Sequence, residues 1–190
     1  MTEHMLYRMT TSNSIQKIFT VPLFVVMIGT FNIGIHDSPE ATFEGIMAIV
    51  NIILKSALPT ARVLVSSILP RHSVSLNAKI DKTNQLVAAA LKDMDRVHFL
   101  QLDNLFKGTP YPEKLLHEDF YMPGAIFYYQ IISFYILICE FILHIDHLHP
   151  SEDGYHAIVA LIKTFLRQYD EIEVVTKELN ISKTIVETLL

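Results

Sequence analysis

The sequence predicts an α/β domain built around a parallel sheet, and three features carry that expectation. Short, β-branched apolar runs alternate with amphipathic helical patterns along the chain. The first of these runs, "PLFVVMIG" (22–29), is continuously apolar instead of alternating, as a strand buried on both faces requires. Residues that cap helices stand at the boundaries between the two kinds of segment. The 190 residues are 51% apolar and 18% charged, which suits one domain with one core and excludes a disordered coil.

Taken in order, residues 1–17 are polar and aperiodic, so a disordered start is expected through residue 21. "PLFVVMIG" (22–29) is the first strand; a signal-peptide reading of 18–29 lacks a small-x-small cleavage site. In the helix that follows, Asp37 or Ser38 can cap, Pro39 suits the first turn, and Glu40 favours the positive end of the dipole. Phe43, Ile46, Val50, Ile53 and Ala57 then step by three and four to make one apolar stripe. "ARVLVSSILPR" (61–71) is the second strand, "LNAKIDKTNQLVAAALKDM" (76–94) the second helix and "RVHFLQL" (96–102) the third strand. "GYHAIVALIKTFLRQY" (154–169) is a further amphipathic helix, and 170–190 an acidic helical tail. The single domain is expected over 22–169.

Composition narrows the partners. A net charge of −5 gives no electrostatic basis for nucleic-acid binding. The single cysteine, Cys139, cannot form an internal disulfide, which favours a reducing compartment and a cytoplasmic location. "GAIFYYQIISFYILICEFILHI" (124–145) matches the roughly 20 residues that span a bilayer and carries only Glu140 as a formal charge. Its flanks (Glu118, Asp119, Asp146) lack the Lys/Arg that fixes topology, so a buried or interfacial helix and a membrane span both stay open.

In open parallel sheets, sites form beyond the carboxyl ends of the strands. The exits "IGTFN" (28–32) and "SSILPRH" (66–72), and residues 146–149, are therefore expected to converge. The stretch "HIDHLHPSEDGY" (144–155) admits three readings. It could be an acid–base pair. It could be a metal site of His144, Asp146, His147 and His149, although that spacing matches no zinc pattern. Or it could be a polar loop in which Pro150 sets a turn and Ser151 or Asp153 caps the next helix. His36, His72, His98 and His117 stand alone in the sequence. Arg71 could meet an anion or simply be a solvated strand-end cation.

In order, "VVMIGTFNIG", "HDSPEATFEGIMAIVNIIL", "VLVSSILPR", "LNAKIDKTNQLV", "RVHFLQL" and "DHLHPSEDGYHAI" resemble the SGNH (GDSL-type) hydrolases, of the platelet-activating-factor acetylhydrolase catalytic-subunit type. The likeness covers about residues 22–122 and 146–168, and its most specific pieces are Leu69-Pro70-Arg71 and Asp146-x-x-His149. It implies a three-layer α/β/α sandwich and ester hydrolysis by a serine, with no metal and no cofactor. Asp146 is similar to the orienting acid and His149 to the general base, roles that an otherwise weak hydroxyl nucleophile needs.

The pattern departs from the family at three places. No Gly-Asp-Ser occurs in the chain, and Ser12 and Ser14 lie in a polar stretch without a strand-to-helix elbow, so no nucleophile is assigned. Phe31 stands where the family has its oxyanion-hole asparagine, with Asn32 adjacent. Residues 124–145 interrupt the run from "HEDFYM" into "DHLHPS" like an insert. The resemblance therefore implies an acyl-ester hydrolase chain that is inactive or impaired. The alternatives are a non-catalytic subunit pairing with itself or with a related hydrolase, and a membrane-attached protein held by 124–145. Lacking the family's opening strand, the fold is read as truncated at its N-terminus, with an exposed sheet edge.

Overall fold

The computed structural model of the chain describes residues 1–11, 17–108 and 150–168. Three short strands, β1 (Leu23–Val26), β2 (Arg62–Ser66) and β3 (Val97–Leu100), form a parallel sheet in the order β1-β2-β3. The register aligns Val25 with Leu64 and Leu64 with His98. The helices among the described residues are α1 (Thr2–Thr11), α2 (Thr30–Gly34), α3 (Pro39–Ser56), α4 (Val74–Leu91), α5 (Asp103–Phe106) and α6 (Glu152–Gln168). A 3-10 turn, Lys17–Thr20, leads into β1.

The expected layers are present. Alternate residues of a strand point to opposite faces, and Phe24, Val26, Val63, Val65 and Val97 pack on one side against Ile46, Ile49, Val50 and Ile53 of α3 and Ile80, Val87 and Leu91 of α4. On the other side Leu100, Leu102 and Phe106 meet Ile158 of α6, with Leu161, Ile162 and Phe165 packed around them. Phe165 touches His98 while Ile158 sits with Leu102 and Phe106, so α6 runs back along the sheet and starts at the strand exits.

The helix signals read as expected. Ser38 caps α3 by accepting from Ala41 N–H at 3.0 Å, with Pro39 in the first turn and the predicted stripe facing the core. Ser151 caps α6 by accepting from Gly154 N–H at 3.1 Å. At the far end of α3, Arg96 donates to the carbonyls of Leu54, Leu58 and Ala61. That places a cation on the negative end of the helix dipole and satisfies acceptors the helix leaves open.

Two expectations are corrected. Residues 2–11, read as part of a disordered start, form α1, with Thr2, Met5 and Met9 buried on one stripe. The stripe is too short and too weakly apolar to stand out by periodicity. What holds it is tertiary: Met5 and Met9 join the α3 core cluster, and Gly45 leaves room for Thr2, whose Oγ1 lies 2.5 Å from where a Cβ would sit. The sheet edge is also not offered to solvent as an apolar surface. β1 pairs with β2 alone among the described residues, yet Phe24, Val25 and Val26 are at most 4% exposed.

Several sequence readings fall outside the described residues: the segment 124–145, His144, Asp146, His147 and His149, and the tail 170–190. Among the described residues, no helix is long and apolar enough to cross a membrane.

Candidate functional site at the strand exits

The carboxyl ends of the three strands are tied together by side-chain-to-backbone hydrogen bonds. Beyond β2 the chain stays buried without pairing as a strand, because two asparagines of α4 take over the role of a neighbouring strand. Asn84 accepts from Ile68 N–H at 2.8 Å and donates to Ile68 C=O at 3.0 Å. Asn77 does the same for Arg71, at 2.7 and 2.8 Å. The seven-residue spacing is close to two helical turns, so both amides project from one side of α4. The β2 exit is thereby fixed at two points.

Ser67 ties β2 to β3. Its Oγ accepts from the N–H groups of Leu102 and Asp103, at 2.9 and 2.8 Å, and the residue is 2% exposed. A hydroxyl so engaged serves as a structural acceptor. Beside it, Asp103 accepts from Lys107 Nζ at 2.8 Å, and Lys107 reaches Asp81 of α4 at 3.1 Å. Burial alone would lower the Lys107 pKa, but hydrogen bonds and charge from Asp103 and Asp81 outweigh it, and the net shift is upward. The other Asp103 oxygen, Oδ1, is buried with no hydrogen-bond partner among the described residues.

Beyond β1, Gly29 turns the chain with φ of 112°, and α2 follows immediately. Arg71 crosses from the β2 exit to this turn. Its Nη1 lies 3.4 Å from Thr30 C=O, and a side chain at Gly34 would collide with the same nitrogen. The reading of Arg71 as a solvated strand-end cation is therefore corrected: it is half-buried and braces α2 against β2.

Phe31 and Asn32, which the sequence resemblance set at or beside an oxyanion position, go separate ways. Phe31 is half-buried and joins neither apolar cluster among the described residues. Asn32 is 1% exposed, and its amide is turned to structural partners. Its Oδ1 accepts from Thr2 N–H at 3.0 Å, while its Nδ2 is 2.9 Å from Asp37 Oδ2, 3.1 Å from Thr2 Oγ1 and 3.3 Å from the Glu3 carboxylate. Two amide hydrogens face these acceptors, so both are committed to holding α1 and the α2–α3 turn. Asn32→Leu is expected to cost about 1–3 kcal/mol by leaving buried polar groups unpaired. It should also release α1, read as faster hydrogen exchange over residues 2–11. Unchanged α1 protection would mean that Met5 and Met9 hold the helix without the amide.

Asp146 and His149 themselves lie outside the described residues. Pro150 is buried and α6 begins at the strand-exit end, two residues beyond it. Sequence reading missed Asn77 and Asn84, although a signal was present. They occupy positions on the stripe Asn77, Ile80, Asn84, Val87, Leu91, and polar residues on an apolar face ask for buried partners. Among the described residues, no group of three or more His, Cys, Asp or Glu side chains is placed to hold a metal ion.

A parallel sheet between two helical layers, with its polar groups gathered at the strand exits, defines a three-layer α/β protein of the kind that binds or acts on ligands at the carboxyl edge of the sheet. The sequence profile of the GDSL-like lipase/acylhydrolase family matches residues 8–157. The platelet-activating factor acetylhydrolase IB subunit alpha1 proteins of Homo sapiens and Pongo abelii are each 37% identical over 167 residues, which is 87% of this chain and 59% of theirs. Among solved structures, a GDSL-like lipase from Bacteroides thetaiotaomicron superposes with a TM-score of 0.58 at 16% identity, covering 89% of this chain and 72% of that one. A carbohydrate esterase family 3 protein from Talaromyces cellulolyticus gives 0.57 at 15% identity, over 86% and 67%. The chain belongs to the GDSL-like lipase/acylhydrolase family. It spans about 59% of the length of the curated relatives it matches.

Proposed function

We propose that the 190-residue chain is an acyl-ester hydrolase of this family in which Asp146 and His149 are the orienting acid and the base, and that by itself it is inactive or strongly impaired. The observation that carries this reading is the state of the oxyanion position. Phe31 offers no donor, and Asn32, the one adjacent amide, is spent on Thr2 and Asp37. Loss of one oxyanion donor alone costs about 10²–10³ in rate. The 190 residues also contain no Gly-Asp-Ser, and Ser67 Oγ is held by two backbone N–H groups. The substrate class is a small acyl ester, as the relatives' family suggests. A cytoplasmic location rests on the single cysteine. A role as a non-catalytic partner of a related hydrolase draws support from the relatives' being named as subunits.

The test is hydrolysis of a short-chain chromogenic ester by the purified chain. Wild type, His149→Ala and Phe31→Asn are expected to match a control protein prepared in the same way. Turnover in the wild type that disappears in His149→Ala would overturn the impaired reading and would require another nucleophile in the chain or a bound water.

A further inference from the structure

At the opposite end of the sheet from the site, β2 and β3 carry a cation and an imidazole in contact. Arg62 and His98 lie on the face that α6 covers, since His98 is in register with Leu64, two residues along from Arg62. Arg62 Nη1 is 3.3 Å from His98 Nε2. The His98 ring packs against Phe165 of α6, with centroids 5.1 Å apart and planes inclined at 59°. A guanidinium only donates, so Nε2 is the acceptor in this contact. That requires a neutral imidazole with its proton on Nδ1. Phe165 is one of the residues that seat α6 on the sheet.

We propose that His98 is an acid-sensitive latch for α6: neutral, it accepts from Arg62 and presents an uncharged ring to Phe165, and protonated, it sets a second cation against Arg62 beneath the helix. Among the described residues, the charged group facing His98 from β2 is Arg62. From α6 the facing residue is Phe165; Lys163, two positions away, is about 200° round the helix. On β3 the neighbours Val97 and Phe99 pack on the other face of the sheet. Attraction between a protonated ring and Phe165 would oppose the effect. Burial first, and the Arg62 charge second, nevertheless hold His98 below its ordinary value of 6.5. The sign follows from that direction. The docked state favours neutral His98, so its contribution is complete above about 6.5 and is lost as pH falls from there through the lowered value. The latch rests on the docking of α6 and not on the acyl-hydrolase reading, so either can fail alone.

The experiment is hydrogen exchange on the full chain at pH 7.5 and 5.0, corrected for intrinsic rates, with the imidazole titrated by NMR. Protection over residues 152–168 is expected to fall at the lower pH, by about tenfold for each unit separating the two states' titrations. Protection over α3 should fall less. His98→Gln, which keeps an acceptor but cannot titrate, should remove the difference in α6, and Arg62→Gln should raise the His98 titration. Should His98→Gln not fold, the wild-type titration decides. A value at or above 6.5, or a pH effect on α6 that survives in His98→Gln, overturns the latch.

Discussion

Asn84→Leu is expected to destabilise the chain by about 2–5 kcal/mol, although the new side chain is more apolar than the old. Asn84 is 8% exposed and supplies both hydrogen bonds that Ile68 makes with α4. Leucine leaves one buried N–H and one buried C=O without partners, each at about 1–3 kcal/mol. Water reaching the partly open side of the amide would keep the sum below its upper bound. In a chain of this size each kcal/mol lowers the melting temperature by about 2–4 °C. Asn84→Asp separates the two bonds: a carboxylate still accepts from Ile68 N–H but cannot donate to Ile68 C=O. It should fall between wild type and Asn84→Leu. If Asn84→Leu melts with the wild type, the β2 exit does not depend on this clamp, and its order must come from packing.

Gly29→Ala should be of similar size for a different reason. The backbone at Gly29 has φ of 112°, a region in which a Cβ clashes with its own main chain, at a cost of about 1–3 kcal/mol. The added methyl would also lie 2.7 Å from Ile68 Cδ1, with Thr42 Cγ2 at 3.2 Å and Ile46 Cδ1 at 3.3 Å closing the other sides. Overpacking adds about 1–3 kcal/mol. A double-mutant cycle with Ile68→Val, which deletes the nearest methyl, divides the two contributions. The cycle should recover the contact part and leave the backbone part. Full recovery would show that strain at Gly29 is negligible. A neutral Gly29→Ala would mean that the turn relaxes to another conformation.

These two substitutions act on the same loop junction, which explains why the site was harder to read than the fold. The apolar run 61–71 reads as one strand, yet pairing with β3 ends at Ser66 and the rest becomes a buried exit loop. Burial demands an apolar sequence in either case, so composition does not distinguish a paired strand from a loop paired by asparagine side chains. The same ambiguity shortened the third strand from 96–102 to Val97–Leu100, where Ser67 takes up the N–H groups that follow.

The sequence by itself determined the alternation of strands and helices, the cap positions to within a pair of candidates each, the stripe of α3 and the family. Each of these rests on residues close together in the chain or on an ordered series of short motifs, and the folded structure only has to respect them. Tertiary structure decided what depends on partners distant in sequence. Asn32 lies 30 residues from Thr2, and neither signals the other until α1 docks beside Gly45. Arg71 looks like a surface cation until β2 brings it across to Thr30 and Gly34. His98 stands alone in the sequence and acquires Arg62 and Phe165 only through the parallel register and the return of α6. A polar side chain carries no periodic mark of its partner, because its hydrogen bond is set by where the sheet and helices place the other group.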